Sequence, residues 1–316
     1  MKRLRPLFIF LAIAITILAF LNRNYYKKEK LKKADNIEAV EKDTIITPPQ
    51  IQEIAEPIQT TTTSSINEFK AWVTLTPAES KRLIAIGLHN YRPVANNLLN
   101  GDIIITKGTT NHYIAETFVN RKMTHGLFTN GRITPKGSKY AITDDVQISE
   151  FYFHNGEIKN LPLDSALKIM QPNTIIFKGA NIINYATKKA AVFIGSNEGG
   201  TSGMILPYVN NGKAKLIIPV GLEKNSSIDI DATVALMQDN SNTGIPRLFS
   251  LPGDIFTEIE AIKTFANVEV LQIGAGGVGG AEGSVTLLIY GTEAQVDKAV
   301  KTIETIQGEK PFFELD

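Results

Sequence analysis

The chain contains no cysteine. That excludes disulfides, thiolate metal sites, iron–sulfur clusters and a cysteine nucleophile. It does not assign a compartment, because a cysteine-free chain works on either side of a membrane. Histidine is scarce too: His89, His112, His125 and His154 are the whole complement. None stands in an HExxH or HxH spacing, so no metal site is expected. Neither sign of charge dominates, with 33 Lys and Arg against 32 Asp and Glu. So even a balance creates no global field to draw nucleic acid, and no basic, aromatic-interleaved surface stands out. No nucleic-acid partner is expected.

What is present suits one large domain or two modest ones: 316 residues, 43% apolar and 21% charged. Lys2, Arg3 and Arg5 precede an uncharged run from Pro6 to Leu21. The run is shorter than the roughly 20 residues that span a bilayer, but its flanks can extend it. A secretory signal opens the same way and ends in small residues. Here the run ends in Asn22, Arg23, Asn24, Tyr25 and Tyr26, bulky and polar, and the paired tyrosines suit a headgroup zone. Residues 1–26 are therefore expected to be a single-pass membrane anchor, with a cleaved signal as the alternative. Charge does not orient it. The lysines after the run favour a cytoplasmic main domain, whereas a short basic head more usually exports the chain on its C-terminal side. Residues 27–66 combine a Lys/Glu run with Pro48, Pro49, Pro57 and the stretch Thr60–Ser65. They read as a disordered spacer.

From residue 67 the pattern alternates. Thr76, Pro77 and Glu79 form a capping box with proline in the first turn. The helix they open has a break expected at Pro93 and an end at Gly101. Short β-branched runs at Asp102–Thr106, Ile175–Phe177, Ala191–Ile194 and Lys215–Ile218 read as buried strands. Helices are expected at His112–Phe118, Met204–Val209 and 254–265, and a further strand at 268–273. This is an α/β chain with a mainly parallel sheet flanked by helices. Residues 125–165 read as a β insertion. A strand at Ser284–Tyr290 and a helix at Glu293–Ile306 suggest a small C-terminal α/β element. The domain reading is an α/β ligand-binding domain over 67–283, with residues 284–316 packed on it.

Three glycine-rich stretches carry the candidate chemistry. Gly274, Gly276 and Gly279 match GxGxxG after a strand. However, the next residues lead into another strand rather than a helix, so the pyrophosphate has no helix start to meet. No cofactor is expected there. The stretch is either a strand-to-strand loop or a loop whose amides, at Gly276 and Gly277, close over a ligand with Glu282 as acid or base. Gly108, Thr109, Thr110 and Asn111 differ because a helix comes next. Free amides and two hydroxyls there make a seat for phosphate or carboxylate, and a simple cap is the plain alternative. A side chain on Gly108 is expected to obstruct such a ligand. Gly195–Gly203 also enters a helix. It offers Gly199, Gly200, Thr201 and Ser202, lacks a P-loop lysine, and carries Glu198 as a candidate catalytic carboxylate.

The segment GDIIITKGTTNHYIAETF resembles the opening of ribose-5-phosphate isomerases, in which a helix, a strand and a GTGST-like turn bind the sugar phosphate. KGAN, with Asn181, and GSNEGGTSG are similar to later ligand loops of the wider superfamily of sugar-phosphate isomerases, coenzyme A transferases and sugar-sensing repressor domains. The similarity runs over about 76–290. The combination of GTTN, PVGLEK and GGVGGAEGS also resembles a group of proteins with no assigned activity. The isomerases' DGADE-like acidic strand end is replaced here by Phe177–Asn181, which has no carboxylate. Glu198 only approaches the position of the transferases' catalytic glutamate.

The resemblance implies a fold and an anion site more than a reaction. The expected function is binding of a small anionic metabolite (sugar phosphate, carboxylate or thioester) by a membrane-tethered protein. Isomerase or transferase chemistry would be carried by Glu198 or Glu282. The alternative is a non-catalytic sensor or a scaffold. A homo-oligomer is left open.

Overall fold

Ile103, Ile104 and Ile105 are all fully buried, and they lie in the middle of the central sheet. A strand covered on both faces needs such an unbroken apolar run. The computed structural model describes residues 68–130, 133, 148–196, 198–238 and 246–312. The expected anchor at 1–26, the spacer at 27–66 and part of the expected β insertion lie outside the described residues. All described residues belong to one unit beginning at Thr63.

In chain order the elements are β1 (Phe69–Leu75), α1 (Pro77–Asn90), α2 (Arg92–Asn100), β2 (Asp102–Ile105) and α3 (Thr109–Val119). Then come β3 (Phe151–His154), β4 (Glu157–Lys159), α4 (Leu163–Ile169), β5 (Thr174–Phe177), β6 (Ile182–Asn184) and β7 (Lys189–Ile194). The rest are α5 (Gly200–Asn210), β8 (Ala214–Pro219), α6 (Ile230–Leu236), β9 (Arg247–Ser250), β10 (Asp254–Phe256), α7 (Glu258–Phe265), β11 (Glu269–Ala275), β12 (Val285–Gly291) and α8 (Glu293–Glu304). A short 3₁₀ turn, Leu222–Lys224, comes after β8.

The main sheet has six strands in the order β10-β8-β5-β2-β3-β4. The first four run parallel, and β3 and β4 add antiparallel strands at one edge. The chain is thus mixed α/β, with helices flanking a mixed sheet. Two small antiparallel sheets complete it: β1-β12-β11 and β6-β7-β9. β11 and β12, on either side of residue 283, pair as a hairpin.

The strand expected at Ala191–Ile194 exists but does not join the main sheet. β6 and β7 are linked by only four residues, Tyr185–Lys188, and pair antiparallel. A connection that short returns the chain beside itself, whereas a parallel neighbour needs a crossover of a dozen residues or more. The Asn184 side chain shapes the turn by accepting from Thr187 N at 3.1 Å. The helix expected at 254–265 is likewise divided. Residues 254–256 form an edge strand parallel to β8, and Thr257 then starts α7 with a capping box through Glu260. Helix α1 begins as its sequence requires, with Thr76 and Glu79 capping reciprocally and Pro77 in the first turn.

Candidate functional site

The carboxyl ends of parallel strands are where ligands enter open α/β sheets, because the loops there diverge to the two faces. Here the loops after β2 and β5 and the turn after β8 open, together with the loop after β7, on a cavity of about 620 Å³. Its walls include Lys107–Asn111, Lys178–Asn181, Val192–Ser196, Gly199–Ser202 and Lys224. The two glycine-rich stretches that lead into helices thus meet across one space, although β7 reaches it from a different sheet.

Each helix start in the wall lacks a side-chain cap. Gly108 precedes α3 and Gly199 precedes α5, and neither first turn receives a side-chain hydrogen bond. By contrast Thr76, Thr257 and Thr292 form capping boxes, and Asp229 caps α6. Unsatisfied amides and the positive end of the helix dipole suit an anion. Gly199 and Gly200 have φ of 83° and 52°, the left-handed region that favours glycine.

Individual residues differ from the expectation. Gly108 has φ 165°, ordinary extended backbone, and a Cβ there would meet only Asn111 Cβ at 3.9 Å. Its own amide donates to Phe128 O at 3.1 Å. Within the protein, then, glycine is not required at this position. Asn111 is fully buried, and its Nδ2 donates to Thr106 O at 2.7 Å and Phe177 O at 3.1 Å. Its amide nitrogen is committed to the fold, while its Oδ1 is buried without a partner. Asn181 Oδ1 accepts from Phe193 N at 2.9 Å. Thr110 and Ser202 are buried, and Thr109 and Thr201 are partly exposed.

Glu198 is exposed and does not line the cavity, although its neighbours Ser196 and Gly199 do. Gly276, Gly277 and Glu282 are also outside the cavity wall. Their loop closes on itself between two paired strands. Gly276 N donates to Ser284 O at 2.7 Å, and Glu282 Oε2 accepts from Gly280 N at 2.9 Å. Amides of the same loop, its own first and that of Gly280 next, hold the Glu282 carboxyl below the usual range. A carboxylate stabilised in its charged form is a poor proton donor. The GxGxxG stretch is a hairpin turn.

The residues missed in the sequence are lysines. Lys178 comes directly after the buried strand β5 and is half-buried in the cavity wall. Burial, reinforced by the charge of Lys224, pushes its ammonium down to about 8. Lys224 Nζ donates to Ala180 O at 2.9 Å. Among the described lining residues there is no Asp or Glu. The available signal was a lysine set immediately after an apolar strand, where the charge is forced against the sheet end.

Lys224 also acts on Lys81, which is buried, as is Glu258, while Glu223 beside them is partly exposed. Glu258 is fully buried and accepts from Leu222 N at 3.0 Å. Burial first, and the charge of Glu223 second, raise its carboxyl to about 7.

Comparison with protein-family models, with curated proteins and with solved structures finds no match to this chain.

Proposed function

We propose that this chain is a membrane-tethered α/β protein whose cavity binds a small anionic metabolite, a sugar phosphate, carboxylate or thioester. One observation carries the reading. Two helix starts without side-chain caps and three lysines, Lys107, Lys178 and Lys224, line the same space, and no carboxylate stands among the described lining residues. A cavity with that charge balance repels cations and stabilises an anion through amides and ammonium groups together. Partial exclusion of water strengthens each of those contacts.

Binding comes ahead of isomerase or transferase chemistry. Glu198 and Glu282, the acids those reactions would use, stand outside the wall. The enzymatic reading rests instead on Lys178, whose ammonium, lowered to about 8, leaves an appreciable neutral fraction near neutral pH. A neutral amine in a protected site can serve as base or nucleophile.

The test is a thermal-shift panel of inorganic phosphate, sugar phosphates, carboxylates and acyl thioesters, read on the wild type and on Lys178→Met and Lys224→Met. A ligand present at 100 times its Kd should stabilise by about 2.7 kcal/mol. Stabilisation by an anion that both methionine variants abolish supports the site. Stabilisation only by cations or neutral sugars, or a full response in both variants, sinks it.

A further inference from the structure

His112 and Glu116 are four residues apart on α3, so their side chains leave the helix on one face. His112 Nε2 lies 3.4 Å from Glu116 Oε1, and both side chains are almost wholly removed from solvent. His125, from the segment after the helix, completes a cluster. One donor atom from each of the three residues lies within 4.8 Å of the other two.

His112 is fully buried, and neither ring nitrogen makes a well-formed hydrogen bond, the nearest contact being Glu116 Oε1 at 3.4 Å from Nε2. Buried polar atoms are nearly always satisfied, and an exception calls for a missing partner. The other two residues are already oriented. His125 Nδ1 is 2.7 Å from Phe312 O, which places the proton on Nδ1 and leaves the Nε2 lone pair available. Glu116 Oε1 accepts from Met123 N at 2.7 Å, and its Oε2 accepts from Arg82 at 2.5 Å. Metal-bound histidines and carboxylates are held by outer contacts of this kind.

We propose that His112, Glu116 and His125 form a binding site for a divalent transition-metal ion of the zinc type. With bonds of about 2.1 Å, the ligand-to-ligand edge of a tetrahedron is about 3.4 Å. The His112–Glu116 separation already has that length. Two imidazoles and one carboxylate are a zinc donor set with a fourth position left for water. Magnesium and calcium need more oxygen donors than the cluster offers. Arg82 and Lys122 both approach Glu116, and Glu309 pairs with both of them. The local charge is balanced before a cation arrives, so nitrogen donors rather than net charge must hold it. A cleft of about 580 Å³, whose wall includes Glu116 and His125, gives the ion a route in. The ion would fasten the C-terminal segment to α3 at the place where Phe312 stacks on His125.

The sequence spacing gave no hint of this, because His125 is brought to the helix only by the fold. The site shares Phe312 with the wall of the anion cavity, but its test does not depend on any anionic ligand. Untagged full-length protein is stripped with a chelator, loaded with zinc chloride or cobalt chloride, and dialysed. The expected result is about one metal per chain, a visible cobalt spectrum of tetrahedral type and a zinc-dependent rise in melting temperature. His112→Leu should fold in chelator, since its nitrogens have no well-formed hydrogen bond to lose. It should bind zinc at least about 100-fold more weakly, because losing a ligand costs no less than losing an outer contact to one. His125→Gln, on the cleft wall, is the second variant and should show the same loss, while His154→Gln should keep the metal. Less than about one-tenth of an equivalent on the wild type, or zinc retention equal to wild type in both His112→Leu and His125→Gln, overturns the proposal.

Discussion

Asn111 Nδ2 donates to the carbonyl oxygen of Phe177 at 3.1 Å, joining the first turn of α3 to the end of β5. The same amide reaches Thr106 O at 2.7 Å. One side chain thus sets the spacing of two loops that line the cavity. Asn111→Ala should cost about 1–3 kcal/mol of stability, because buried acceptors lose their donor. Thr109→Ala, at a partly exposed position, should stay within about 0.5 kcal/mol. Urea unfolding checks both. A neutral Asn111→Ala would remove the amide from its place as the connector.

Anion binding should take up protons in a narrow pH range. Lys178 titrates at about 8 in the free protein, and a bound anion stabilises its charged form. At pH 8 binding should therefore draw in about half a proton, and at pH 6 almost none. Calorimetry in buffers of different ionisation enthalpy measures this. Affinity should fall as the pH rises through 8. In the free protein the sign for stability is opposite. Between pH 8 and the ordinary lysine value of 10.5, the unfolded chain holds the extra proton, so Lys178 makes stability rise with pH there. Lys178→Met should remove both effects.

Glu258 gives a stability slope on the acid side. Its carboxyl is raised from 4.5 to about 7 by burial and by Glu223. Between those values the folded chain holds the extra proton, so this contribution is full below pH 4.5 and lost as pH rises through 7. The slope from one such group is at most about 1.4 kcal/mol per pH unit. Glu258→Gln should flatten it and leave the protein more stable than wild type at pH 8. Parallel stability profiles for the two proteins from pH 5 to 8 would contradict this.

Glycines should separate into required and replaceable. A Cβ on Gly87 would lie 2.5 Å from both Cα and Cβ of Ala261, where α1 and α7 touch through their backbones. Gly87→Ala should cost about 1–3 kcal/mol by overpacking. Gly108→Ala has room and an extended φ, so its stability should change by less than about 0.5 kcal/mol. Any larger effect of Gly108→Ala should appear only in anion affinity. Thermal melts with and without ligand distinguish the two cases.

The proposed tether has its own test. Among the described residues no helix is long and apolar enough to cross a membrane. The run Pro6–Leu21 is the segment on which the proposal rests. Full-length protein should stay in the membrane fraction after a high-salt wash, and removing residues 1–66 should release a folded soluble domain. A freely soluble mature chain with a trimmed N-terminus would favour the cleaved signal instead.

Much of the local chemistry was legible from near neighbours. The capping box at Thr76 and Glu79, the buried run Ile103–Ile105 and the hairpin character of the GxGxxG stretch each arise from residues within a turn or a strand of one another. GTTN and GSNEGGTSG were expected to meet as strand ends of one sheet; they do line one cavity, but β7 brings the second loop there from a separate sheet. The departures have both local and distant causes. β7 joined a different sheet because Tyr185–Lys188 is too short for a crossover. Glu198 is exposed outside the cavity wall, and Glu282 lies in a loop that closes on its own amides. Lys178 became the notable ionisable group because the strand before it is buried and Lys224 arrives from after β8. His112 and His125 are 13 residues apart, with a helix end between them, and no period in the chain relates their nitrogens. By itself the sequence determined the alternation of elements, the capped start of α1 and the glycine-rich strand ends, since backbone preference and amphipathic period act over a few residues. Tertiary structure alone decided which charges face each other, because desolvation and Coulomb interaction depend on distance through space.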